Sequence, residues 1–149
     1  LGALKYYILR VDPRKRMLFN PEESIDFQGN TGPFIQYTHA RIRSLIRKAG
    51  SRQSGGEYSE LQDSERNIVK HLANYASSLE EAASSYSPAV LANYIYDLVK
   101  SYNALYQQLP ILTDENPGAV AFRLEISEKV AEVVKEGMSL LGIEVPDRM

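Results

Sequence analysis

Apolar residues in the second half of the chain recur at helical spacing. In residues 88–109, Leu91, Ile95, Leu98, Tyr102, Leu105 and Leu109 are separated by steps of 4, 3, 4, 3 and 4. That near-heptad seam predicts a long helix with one stripe turned to a core. Ser87 suits its N-cap, Pro88 its first helical position, and Pro110 prevents it from continuing. Residues 118–141 predict another long helix, with Val120, Leu124, Val130, Val134 and Leu141 inward and Glu125–Lys129 as an i,i+4 pair. Gly142 ends that helix, and IEVPDRM follows as an extended tail. Residues 60–84 carry Leu61, Ile68, Leu72, Tyr75, Leu79 and Ala82–Ala83 at the same periodicity. They predict a third long helix.

The first third reads less regularly. GALKYYILRV (2–11) fits a short helix or a strand, closed by Pro13. Met17-Leu18-Phe19 reads as a short strand or extended piece, and Pro21-Glu22-Glu23 as a helix first turn that breaks at Gly29. Asn30-Thr31-Gly32-Pro33 forms a turn-and-cap cluster with Pro33 as first helical residue, opening a helix to Ala49 that Gly50 stops. GSRQSGGEYS (50–59) reads as a Gly/Ser-rich loop. The expected fold is therefore all-α: a helical bundle of about four main helices with a short N-terminal extended segment.

Composition narrows the chemistry. The 149 residues suit one domain, and contain no cysteine and two histidines, His39 and His71. Disulfides, thiolate zinc sites and cysteine nucleophiles are removed together, and a multi-histidine metal site is disfavoured. Both histidines read as surface or boundary residues. No apolar run approaches the roughly 20 residues of a bilayer span, and no signal peptide is visible. The opening LGALKYYILRVDP reads as the continuation of a longer chain, expected to be the C-terminal part of a cytoplasmic protein. There is no GxxxxGK[ST] loop, GxSxG elbow or HExxH pair. The carboxylates look like solvated helix faces, so the chain does not read as a catalytic unit.

The net charge of −2 conceals an asymmetry. Residues 1–52 hold ten Lys/Arg against four Asp/Glu, a net of +6, whereas residues 53–149 carry a net of −8. Charge asymmetry of this kind points to contact with nucleic acid or a membrane surface, or else to solvated faces. The basic third contains GNTGPFIQYTHARIRSLIRK (29–48). On a helix, Phe34, Tyr37, Arg41 and Lys48 fall near one side, with Arg43 and Arg47 as a second basic row. An aromatic stripe beside arginines suits unpaired bases: rings stack on them, and guanidinium groups hold phosphates. The same pattern also fits core aromatics with solvating arginines. Tyr94, Tyr96, Tyr102 and Tyr106 share one helix, and Tyr102, on the seam, reads more readily as core. A helical protein–protein adaptor without a nucleic-acid role is the competing class; it accounts for the acidic body and the near-heptad seam.

The segment GNTGPFIQYTHARIRSLIRK resembles the opening of the DALR-type anticodon-binding domain of arginyl-tRNA synthetases, with its pattern G-[ND]-T-[GA]-P-[YF]-[LI]-Q-Y-x-H-[AS]-R-[IL]-R-S. LANYIYDLVKSYNALYQQLPIL (91–112) is similar to a later helix of that family. RLEISEKVAEVVKEGMSLLGIEVPDRM (123–149) is similar to its closing helix and LLG[IL]xxPE[RK]M terminus, with Asp147 where Glu is usual. The resemblance implies a C-terminal domain over residues 29–149, preceded at 1–28 by the tail of the catalytic core's connecting region. It implies recognition of the anticodon stem-loop of tRNA-Arg by Phe34, Tyr37, Arg41, Tyr102 and the terminal Met149. It further implies a monomeric parent ligase that activates arginine with ATP and magnesium in an upstream catalytic domain. The HIGH-like and KMSKS-like motifs of that chemistry do not occur in these residues, so no catalytic residue or cofactor site is expected here.

Overall fold

The computed structural model describes residues 1–50 and 55–149. Among the described residues seven helices run in chain order: α1 (Gly2–Leu9), α2 (Pro21–Ser24), α3 (Gly32–Ala49), α4 (Asp63–Ala73), α5 (Tyr75–Ser84), α6 (Pro88–Gln108) and α7 (Pro117–Leu140). No strand occurs among the described residues. Helices α3, α4, α6 and α7 pack against one another around one core, with α1 lying on α3 and α5 on α6. Part of the Gly/Ser-rich loop, residues 51–54, lies outside the described residues.

The long helices form where periodicity places them. The seam residues Leu91, Ile95, Leu98, Tyr102 and Leu105 are all buried, and they meet Leu124, Val130, Val134 and Met138 of α7. The two helices approach closely at Gly137, where an added Cβ would stand 2.7 Å from Ile95 Cδ1. The side chain of Asn116 caps α7 by accepting from the backbone N–H groups of Gly118 and Ala119. Thr31 caps α3 by accepting from Phe34 N–H, and Pro33 is the second helical residue.

Four points refine these expectations. First, residues 2–11, expected as a helix or a strand, are helical over Gly2–Leu9. Tyr6 of α1 is fully buried, and its hydroxyl donates to the Ala92 carbonyl of α6 at 2.9 Å. Second, the helix expected over 60–84 is two helices joined at Asn74. Beside the break the Tyr94 hydroxyl donates to the His71 carbonyl at 2.6 Å, and Tyr75 stacks on the Tyr94 ring. Third, Lys129 pairs with Glu132 at 2.9 Å, not with Glu125. Fourth, not every carboxylate is solvated. Glu65 is fully buried and meets Arg123 Nε at 2.6 Å; Asp114 and the Pro110 carbonyl complete the arginine's shell. That cluster fastens α4 and the 110–114 turn to α7.

The end of α7 sets up everything that follows. Gly142 adopts a φ of 70°, with its N–H donating to Ser139 O and the Ile143 N–H to Met138 O. This is a Schellman arrangement, in which a left-handed residue after the helix reverses the chain. Ile143 is buried beside the helix it has just left, and residues 144–149 return across α3.

Candidate nucleic-acid interface

Helix α3 has two neighbouring polar stripes with different duties. Gln36, His39, Arg43 and Arg47, at steps of 3, 4 and 4, face the returning tail. Gln36 Nε2 donates to Glu144 O (2.7 Å) and Arg47 Nη1 to Asp147 O (3.1 Å). Arg43 Nε lies 3.5 Å from Asp147 Oδ1. His39 is 1% exposed, which corrects the surface assignment, and its Nδ1 lies 2.9 Å from Pro146 O. Burial lowers its pKa below the ordinary histidine value, while the bond to Pro146 and the charge of Asp147 act in the opposite sense.

The second stripe opens to solvent. Tyr37, Ala40, Arg41 and Ser44 line a shallow groove of about 380 Å³, closed by Arg47, Arg148 and Met149. The Arg41 guanidinium carbon lies 4.8 Å from the Tyr37 ring centre and 5.4 Å from that of Tyr106, a cation–π pair of contacts. One of its nitrogens, Nη1, donates to Asn103 Oδ1 at 3.1 Å. The Asn103 amide is oriented in turn by donating to Thr38 Oγ1 at 3.0 Å. Among the described residues no carboxylate lies within ion-pair distance of Arg41, and Arg41 itself lines the groove. Phe27 stands edge-on to Tyr37, with ring centres 6.3 Å apart, and extends the aromatic face. Tyr37 is 44% exposed, Phe27 55% and Met149 66%.

The structure thus brings together three of the five expected contact residues, Tyr37, Arg41 and Met149, although Met149 is far from the others in sequence. Phe34 is half-buried and packs on Tyr96 (5.8 Å), behind the groove and not in its lining. Tyr102 is fully buried, with its hydroxyl donating to Ser127 Oγ at 2.9 Å. Burial pushes that hydroxyl up to about 12. Its ring reaches the groove only by backing Tyr106, with 6.5 Å between ring centres. Residues around the groove that the sequence reading passed over are Phe27, Asn103 and Arg148. Arg148 and Asn103 each stand next in the chain to a residue already singled out; Phe27 stood in a segment read only as a broken turn. No group of acids and histidines able to hold a metal occurs among the described residues. No described helix is long and apolar enough to cross a membrane.

Comparison with known proteins agrees with this geometry. Residues 35–149 match the model of the DALR anticodon binding domain. The chain is 56% identical to an arginine–tRNA ligase of Parabacteroides distasonis, over all of this chain and 26% of that protein. It is 53% identical to the arginine–tRNA ligase of Flavobacterium psychrophilum, over all of this chain and 25% of that one. The chain therefore spans about a quarter of the length of these relatives. Among solved structures, the arginyl-tRNA synthetase of Thermus thermophilus superposes on 99% of this chain and 26% of its own, with a TM-score of 0.87 and 32% identity. The family model covers more than half of this all-helical chain, and the chain belongs to the DALR anticodon-binding domains.

Proposed function

We propose that this chain recognises the anticodon stem-loop of tRNA-Arg as the C-terminal part of an arginine–tRNA ligase. The observation that carries this reading is the groove on α3, where Arg41 lies between the rings of Tyr37 and Tyr106. Unpaired bases stack on exposed aromatic faces, and guanidinium donors reach phosphate or base edges without reorganisation. Tyr37, Arg41 and Met149 touch the RNA. Tyr102 backs Tyr106, which flanks Arg41, and Phe34 packs on Tyr96 behind the groove. Residues 1–28 lead in from the catalytic core's connecting region, and the activation of arginine with ATP and magnesium belongs to that upstream part. The parent enzyme acts in the cytoplasm as a monomer.

The test is binding of the tRNA-Arg anticodon stem-loop, compared with a loop of changed anticodon, to the full-length protein. Preference for the cognate loop, lost in Tyr37→Ala or Arg41→Ala with an unchanged circular dichroism spectrum, supports the reading. Equal or absent binding of both loops supports the helical adaptor instead.

A further inference from the structure

The tail beside the groove is held by a built seam, and one member of it differs from the rest. Gln36, Arg43 and Arg47 reach the tail from exposed or half-exposed positions, where water competes for each contact. His39 alone is buried at the contact. A carbonyl oxygen can only accept, so the 2.9 Å approach of Nδ1 to Pro146 O requires the ring proton to sit on Nδ1. The bond ties the main chain at Pro146 to the middle of α3, three residues before the terminus.

We infer that His39 is a positioning residue for RNA recognition: its Nδ1–H fixes the tail at Pro146 and thereby holds Met149 against Tyr37 and Arg41. His39 does not line the groove, and its influence on the ligand runs through the tail. The geometry explains how Met149, which belongs to no helix, occupies a defined place beside α3. It also explains why the two stripes of α3 are adjacent: one holds the tail, and the other presents the surface that the tail completes. The inference rests on the proposed RNA-binding role of the groove, so its test carries one readout independent of RNA.

The decisive contrast is His39→Gln against His39→Asn in the full-length protein. An Asn amide nitrogen occupies nearly the place of Nδ1 and keeps the donor, whereas a Gln amide reaches toward the Nε2 position and loses it. Labelling of a Val145→Cys thiol, followed in its own peptide by mass spectrometry, reports the tail, because Val145 packs against the core beside Pro146; binding of the tRNA-Arg anticodon stem-loop reports the groove. In His39→Gln, labelling should speed up about five- to tenfold, the effect of one buried hydrogen bond, with amide exchange in α6 unchanged. Stem-loop binding should weaken by no more than it does on deletion of Arg148 and Met149. His39→Gln should add no loss in the deleted chain, and His39→Asn should restore both readouts. Unchanged labelling in His39→Gln overturns the tether. A further loss of RNA binding in the deleted chain overturns the route through the tail. If labelling speeds up but deletion leaves RNA binding intact, the tether stands and the positioning role falls. If the unaltered protein does not prefer the cognate loop, the RNA-binding reading itself has failed, and the labelling result still decides the tether.

Discussion

Arg41 and Arg123 are the same residue in similar company, and they do opposite things. Each stands near a tyrosine ring: Arg41 near Tyr37 and Tyr106, Arg123 near Tyr58 at 5.9 Å. Each donates to a neighbouring helix or turn. But the Arg123 side chain is only 4% exposed, and its donors are consumed by Glu65, Asp114 and the Pro110 carbonyl. Burial alone would lower its pKa, and the hydrogen bonds to Glu65, Asp114 and Tyr58 more than reverse that. Among the described residues Arg41 makes one side-chain hydrogen bond, to Asn103, and lines the open groove. The state of the donors, not the residue type, separates an arginine that builds the molecule from one that can bind a partner.

The largest effect should come from breaking the buried side of this pair. Arg123→Ala leaves Glu65 buried without its cation, and loss of one member of a buried ion pair costs about 3–5 kcal/mol. A urea titration should show that loss in the full-length protein as a lower midpoint for the transition of the helical region, while the fraction still folded keeps its affinity for the stem-loop. Arg41→Ala should move the same midpoint by less than about 1 kcal/mol, since a half-exposed guanidinium with one neutral partner contributes little to folding. Equal destabilisation by the two substitutions would show that Arg41 is structural and end the distinction.

On the open side, Tyr37→Ala should weaken stem-loop binding by about 1–3 kcal/mol, the worth of one stacked base, with little change in melting temperature. Arg41→Ala should weaken it too, and flatten the dependence of log affinity on log salt by about one phosphate's share. A binding loss in Arg41→Ala with an unaltered salt slope would place the guanidinium on a base and not on a phosphate.

The two regions also differ in how far the sequence discloses them. The capping cluster at Asn30–Pro33, the seam from Leu91 to Leu105 and the breaks at Gly50 and Pro110 follow from local rules, because propensity, caps and period all point the same way there. The stripe containing Tyr37 and Arg41 was visible because helical spacing alone places them together. The Glu65–Arg123 junction was hidden: the partners are 58 residues apart, and each looks like an ordinary solvated charge until the helices pack. The split at Asn74 was hidden too, because the helical period of Ile68, Leu72, Tyr75 and Leu79 runs through it unbroken. Met149 became a candidate through family resemblance alone; no period or spacing connects a chain end to a helix 108 residues earlier, only a left-handed turn at Gly142 and the polar stripe it returns to.

Tyr102 offers a smaller test on the boundary between the two regions. Its hydroxyl serves Ser127 inside the core, and its ring backs Tyr106 at the groove. Tyr102→Phe keeps the ring and removes the donor, so it should cost about 0.5–1.5 kcal/mol of stability and leave RNA binding unchanged. Weaker binding without loss of stability would instead show that the hydroxyl reaches the ligand.

The mildest perturbation is pH, and it should act on the two regions in a fixed order. Burial holds the folded-state pKa of His39 below its unfolded value. The unfolded chain therefore binds the proton more readily, and the stability His39 contributes is present at neutral pH and declines as pH falls through the unfolded value of about 6.5. Asp147, Arg43 and Lys135 are the charged groups around it; Asp147 favours the protonated ring and the two cations oppose it. At the buried junction, Asp114 is held below the ordinary carboxylate range by the Asn116 backbone N–H and by Arg123, so that its share persists until far more acid conditions. Between about pH 7 and pH 5 the urea midpoint of the helical region should fall for this reason, while Asp114 adds nothing to the change. In His39→Asn, which cannot titrate, the fall should shrink. A fall of the same size there would show that the acid sensitivity does not come from the buried ring.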